Sequence, residues 1–108
     1  MDYQLERSTA IQAVLKASRL CQSVGSSLVM DKSDRSPVTV ADFGAQALIS
    51  LDIMKAFPDD PIAAEEDSSL LRSQEAVNLR IRVLEHINAI TPGLKEDEVL
   101  AAIDYGGF

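Results

Sequence analysis

The chain has one cysteine, one histidine and no tryptophan, and each scarcity removes a class of function. A single cysteine, Cys21, closes no internal disulfide, so a reducing compartment is expected. One histidine beside one cysteine leaves out zinc chemistry with the usual ligand sets. With only two Tyr and three Phe, the core must be filled mainly by Leu, Ile, Val and Ala. Basic residues are the minority: ten Lys and Arg stand against seventeen Asp and Glu, a formal net charge of -7. That balance speaks against unaided binding to nucleic acid or to an anionic membrane. It leaves an anionic small substrate open, because bound metal ions invert the local field. No apolar run approaches the ~20 residues of a membrane span. The N-terminal stretch MDYQLERSTAIQAVLK carries charges of both signs and has no apolar h-region, so a cytoplasmic location is expected. Walker A, G-x-G-x-x-G and G-x-S-x-G patterns are absent.

What is present is an ordinary globular composition, 46% hydrophobic and 25% charged, over 108 residues, enough for one small domain at most. Ile11, Val14, Leu15, Cys21 and Val24 recur near a 3.6 period and predict an amphipathic helix from Tyr3 to Val24, capped near Gly25. Ser26 to Met30 reads as a short extended segment, Asp31 to Pro37 as a turn, and the β-branched Val38-Thr39-Val40 as a strand end. A second helix is expected from Ala41 to Ala56, with Phe43, Ala47, Leu48, Leu51 and Met54 inward, stopped by Phe57-Pro58. Ile62-Ala63-Ala64 reads as a short buried strand. A third helix is expected from Ser69 to Ala89, with Leu70, Val77, Ile81, Leu84 and Ile87 inward, broken by Thr91-Pro92-Gly93. A fourth runs from Glu96 to Ile103, its first-turn acids suiting the positive end of the helix dipole. The expectation is a mixed α and β architecture with helices dominant. Strands so few and short do not make an independent sheet face.

Two acidic features are candidates for chemistry. Asp42 follows Val38-Thr39-Val40 and opens the second helix. An acid there stabilises the helix dipole by about 0.3–1 kcal/mol, and spacing alone favours that explanation. The functional reading is a carboxylate held at a strand-to-helix junction, with Thr39 capping the helix or positioning a water. Glu65-Glu66-Asp67 is by composition a solvated acidic loop. Its functional reading is a hard-cation site, since Mg²⁺ takes oxygen ligands, usually one or two carboxylates plus waters and substrate phosphates. His86 lies off the apolar stripe and reads as a surface residue. Lys32 to Arg35 is read as a solvated turn within reach of a phosphate.

Taken together, the stretches KSDRSPVTVADFGAQALISL from Lys32 and FPDDPIAAEED from Phe57 resemble the N-terminal part of the 3'(2'),5'-bisphosphate nucleotidases. These belong to the inositol-monophosphatase-like, lithium-sensitive, Mg²⁺-dependent phosphatase superfamily. The run LERSTAIQAVLKASRLCQ is similar to that family's first helix, and VLAAIDYG to the segment before its main metal motif. The resemblance implies an α/β fold, an α+β layered sandwich of the inositol monophosphatase type. Residues 1–108 would form an incomplete N-terminal part of one domain, mostly helical with short strands. It implies that Asp42 helps activate the attacking water, that Glu65 is a metal ligand, and that Glu66 and Thr39 support them. The implied cofactor is Mg²⁺. The implied substrate is a small phosphorylated nucleotide, 3'-phosphoadenosine 5'-phosphate or its sulfated relative, with no nucleic acid or membrane partner.

The family's Asp-Pro-Ile/Leu-Asp-Gly-Thr motif supplies two further metal carboxylates and a catalytic Thr. It is absent: after Asp60-Pro61-Ile62 come Ala63 and Ala64. The chain alone is therefore expected to be inactive, and exposed apolar faces are expected to make it self-associate. The alternatives are an inositol-phosphate phosphatase fragment and a non-catalytic helical interaction module.

Overall fold

The computed structural model describes residues 2–26 and 36–105 of the chain. These form five α-helices: α1 (Gln4–Ser26), α2 (Ser36–Ala56), α3 (Ser69–Arg72), α4 (Val77–Ile90) and α5 (Glu96–Tyr105), with a 3-10 turn (Gln74–Ala76) before α4. The described part is thus mostly helical, and β pairing among the described residues is confined to Ala63. The readings of residues 27–35, including Lys32 to Arg35, lie outside the described residues.

Helix α1 begins where the Asp2 carboxylate accepts the Gln4 N–H at 2.9 Å, satisfying one of the donors that a helix start leaves open. It runs through Gly25 instead of ending there. Helix α2 is apolar around much of its circumference, as suits a helix covered on several sides. It packs against α1, α4 and α5. The core gathers Leu20 and Val24 of α1, Val40, Phe43, Ala47 and Leu48 of α2, Leu71 of α3, Val83 and Ile87 of α4, and Val99, Leu100 and Ile103 of α5. Helices α1 and α2 approach closely at Gly44, where an added Cβ would stand 2.7 Å from Leu20 Cδ1. At the end of α4, Gly93 takes φ +90°, a left-handed conformation open to glycine, and turns the chain toward α5.

Several expectations are corrected. Val38-Thr39-Val40 is helical, not a strand end, because α2 starts at Ser36 and takes Pro37 into its first turn. Proline is tolerated there, since its missing N–H has no acceptor within the helix anyway. Ile62-Ala63-Ala64 is not a buried strand: Ala63 and Ala64 are exposed. The third helix is divided near Ser73, where the backbone is extended. The inward faces also shift. On α1 the buried residues are Ala13, Ala17, Leu20 and Val24, while Ile11, Val14, Leu15 and Cys21 are exposed. On the third helical stretch Leu71, Ala76, Val83 and Ile87 are buried, while Leu70, Val77 and Ile81 are exposed. The buried face of α1 thus carries the small Ala13 and Ala17 beside Leu20 and Val24, and the small residue at the close approach is Gly44 of α2, which meets Leu20.

Candidate functional site

Thr39, Asp42 and Gln46 share one face of α2, at the i, i+3 and i+7 positions that bring helical residues into line. Thr39 lies in the first turn and is half-buried, Asp42 is exposed and Gln46 is half-buried. With the helix starting at Ser36, Asp42 stands two turns in. It is neither a helix-start acid nor a residue at a strand-to-helix junction.

The Gln46 carboxamide reaches from α2 to the acidic triplet. Its Nε2 donates to the Glu66 carbonyl at 2.8 Å and its Oε1 accepts the Glu66 N–H at 3.1 Å. Both backbone groups of Glu66 are satisfied by one side chain. The same Nε2 donates to the Ile103 carbonyl on α5 at 2.9 Å.

At Ser68, two residues beyond Glu66, Asp104 of α5 holds the chain again. Its carboxylate accepts the Ser68 N–H and the Ser68 hydroxyl, each at 2.7 Å. Arg72 Nε donates to the Ser68 hydroxyl oxygen at 2.6 Å, and Arg72 Nη2 lies 3.3 Å from Asp104 Oδ2. The Ser68 hydroxyl above all holds the Asp104 carboxyl below the ordinary aspartate range. The Ser68 N–H and Arg72 act in the same direction, and partial burial opposes them. Asp67 is likewise lowered, first by the Ser69 hydroxyl and then by the Ser69 N–H, which it accepts at 2.9 Å. The triplet is therefore held at Glu66 by α2 and just past its end by α5. Above this backbone the Glu65 side chain is exposed and Glu66 is half-buried.

Asp42 and Glu66 are thus linked through one helical turn and one carboxamide. Their carboxylates, with that of Glu65, are hard oxygen donors, the chemistry Mg²⁺ takes. Among the described residues no three His, Cys, Asp or Glu side chains converge on a metal-sized site. The donor set fits one or two ligands of a Mg²⁺ shell, with waters and substrate phosphates completing it.

Gln46, Ser68 and Asp104 were not singled out from the sequence. For Gln46 the signal was available: it is the one polar side chain in the run from Phe43 to Ile49, one turn beyond Asp42. His86, expected at the surface, is half-buried, with Nδ1 3.0 Å from Ser23 Oγ, joining α4 to α1. An apolar groove of about 290 Å³ between α1 and α2 is lined by Ala10, Ala13, Val14, Ile49, Ile53 and Phe57, among others. It contains none of the candidate residues.

No protein-family model matches the chain. Among curated proteins, the 3'(2'),5'-bisphosphate nucleotidase of Schizosaccharomyces pombe is 38% identical over 125 residues, covering 100% of this chain and 35% of the relative. The 3'(2'),5'-bisphosphate nucleotidase of Emericella nidulans is 46% identical over 84 residues, covering 75% of this chain and 24% of the relative. An Arabidopsis thaliana relative, whose name assigns the same activity provisionally and places it in mitochondria, is 42% identical over 112 residues, 97% of this chain and 28% of the relative. The chain spans between about a quarter and about a third of the length of these relatives. Over that span it is homologous to the 3'(2'),5'-bisphosphate nucleotidases.

Proposed function

From this homology to the 3'(2'),5'-bisphosphate nucleotidases, we propose that residues 1–108 form the N-terminal portion of a Mg²⁺-dependent phosphomonoesterase domain. The substrate class is a nucleotide bearing a 3'-phosphate, such as 3'-phosphoadenosine 5'-phosphate. The complete domain is an α/β layered sandwich of the inositol monophosphatase type, to which this chain contributes helices. The observation that carries the reading is the link between Asp42 and the acidic triplet: Gln46, one turn beyond Asp42, grips the Glu66 backbone.

Glu65 is the exposed carboxylate for a metal, and Glu66, half-buried on a fixed backbone, supports it. When bound, Mg²⁺ neutralises charge on the phosphoryl oxygens and makes water nucleophilic near neutral pH. Asp42 orients that water from the exposed face of α2, and Thr39, one turn earlier, helps to position it. The Asp-Pro-Ile/Leu-Asp-Gly-Thr motif is not in this sequence, so the remaining carboxylates come from chain not present here. The isolated chain releases no phosphate on this account. The location proposed is cytoplasmic. No helix among the described residues is long and apolar enough to cross a membrane.

The test joins residues 1–108 to the remainder of the S. pombe relative and assays the hybrid with Mg²⁺ on 3'-phosphoadenosine 5'-phosphate and on inositol 1-phosphate. Preferential release from the nucleotide is expected. Preference for the inositol phosphate would transfer the chain to the neighbouring phosphatase activity. A second reading, a helical module that pairs with a partner, draws on one observation: Ile11, Val14 and Leu15 lie outward on α1. We assign that surface to self-association of the isolated chain.

A further inference from the structure

We propose that Gln46 is a positioning residue that sets the backbone from which Glu65 presents its carboxylate to a divalent cation. This rests on the metal-ligand reading of Glu65 given above.

Three hydrogen bonds converge on one carboxamide, and their targets come from two separate parts of the chain. The Glu66 N–H belongs to the peptide unit that joins it to Glu65. The Glu66 carbonyl belongs to the next unit. With both held, the peptide unit on the C-terminal side of Glu65 is fixed, which leaves its side chain one backbone torsion and its own side-chain torsions. The bond to the Ile103 carbonyl ties the same amide to α5, one residue before the Asp104 that anchors Ser68. The acidic segment is therefore clamped to the helix that carries Asp42.

Fixing this side chain costs rotamer entropy, and glutamine is among the more costly residues to fix. An apolar residue would serve α2 as well if packing were the only demand, since the position is half-buried within an otherwise apolar run from Phe43 to Ile49. The bonds serve instead to order a segment outside the helix. A carboxylate on a pre-ordered backbone loses less freedom when it binds a cation. Partners that orient a metal ligand from outside the coordination shell typically change metal affinity by about 10- to 100-fold when removed.

The test uses Mn²⁺ as the probe on the full 108-residue chain, followed by paramagnetic broadening of assigned backbone amides. The acidic run Glu96-Asp97-Glu98 at the start of α5 is the internal comparison, since it too is exposed. In the unmodified chain, amides of residues 65–67 should broaden at lower Mn²⁺ than those of 96–98, and the Glu66 amide should be protected from hydrogen exchange. Gln46→Met keeps side-chain length without the hydrogen bonds, and should weaken Mn²⁺ binding at 65–67 about 10- to 100-fold with binding at 96–98 unchanged. Gln46→Asn, which draws the carboxamide back by one methylene, should weaken it in the same direction. A merely structural role would lower the melting temperature and leave Mn²⁺ affinity in the folded protein within two-fold, which would overturn the positioning role alone. A Glu66 amide that exchanges freely would also overturn it. Absence of any Mn²⁺ preference for 65–67 in the unmodified chain, with Glu66 protected, would remove the metal reading of Glu65 and the proposal with it.

Discussion

Asp104 takes both donors of Ser68: its two carboxylate oxygens accept the Ser68 N–H and hydroxyl at 2.7 Å each. Ser68 is 1% exposed, so neither donor has water to turn to. This pair fixes the start of α3 to the end of α5, next to the acidic triplet.

The first prediction follows from those buried donors. Asp104→Ala leaves them unpaired, at a cost of about 1–3 kcal/mol. For a chain near 100 residues, each kcal/mol lowers the melting temperature by about 4–8 °C. Differential scanning calorimetry reads the change. A shift under 1 °C would mean that Ser68 finds other partners.

The same carboxylate gives a pH dependence. Its pKa is lowered in the folded state, so the unfolded chain takes up the proton first as pH falls. The stability it contributes is fully present above about pH 5 and is lost as pH falls through the ordinary aspartate value toward the folded one. Melting temperature should therefore be level above that window and fall below it. Asp104→Asn, which cannot titrate, should fall less steeply between pH 5 and pH 3. Parallel slopes for the two proteins would place the acid sensitivity in other carboxylates.

Gly44 supplies a packing prediction. Alanine at this position gains up to about 1 kcal/mol of helix propensity. Its Cβ meets Leu20 at 2.7 Å, and Leu20, with 0% exposure, can shift only against its core neighbours. Overpacking of this kind costs about 1–3 kcal/mol. Gly44→Ala should lose about 1–2 kcal/mol in urea unfolding. A gain in stability would show that the crossing of α1 and α2 is looser than 2.7 Å implies.

The outward face of α1 gives a prediction about association. Ile11, Val14 and Leu15 are 53%, 60% and 51% exposed and lie on successive turns. Val14→Glu should reduce the apparent mass in multi-angle light scattering toward the 11.7 kDa monomer. Stability should change by no more than about 0.5 kcal/mol, as for other exposed positions. A mass unchanged by the substitution would contradict association through this face.

Helix existence was legible in the sequence, because punctuation residues mark it. Phe57-Pro58 follows the end of α2, Thr91-Pro92-Gly93 follows α4, and Glu96 begins α5 as read. Helix faces were less legible. Periodicity favours the largest apolar residues, Ile11, Val14 and Leu15, yet the buried face of α1 carries Ala13 and Ala17 with Leu20, the residue that meets Gly44. The β-branched Val38-Thr39-Val40 misled because strand propensity is a weak preference that packing overrides, and Val40 is fully buried in the helical core. Asp42 and Glu65 were legible as candidates through their motifs. The residues that arrange the acidic segment were not, since Gln46 and Asp104 act across 20 and 36 positions of sequence. Asn88 repeats the device locally: its side chain accepts the Leu94 N–H at 2.9 Å and donates to the Leu94 carbonyl at 3.1 Å. Such side-chain-to-backbone clamps carry no periodic signal.

The most direct test of the central claim is Glu65→Gln in the hybrid that joins residues 1–108 to the rest of the S. pombe relative. The measurement is phosphate release from 3'-phosphoadenosine 5'-phosphate as a function of Mg²⁺ concentration. The account predicts a loss of kcat of at least about 100-fold, since a bound divalent cation supplies several kcal/mol of transition-state charge stabilisation. It also predicts a raised Mg²⁺ requirement, with the melting temperature unchanged. Activity and Mg²⁺ requirement within two-fold of the unmodified hybrid would contradict the assignment of Glu65 as a metal ligand.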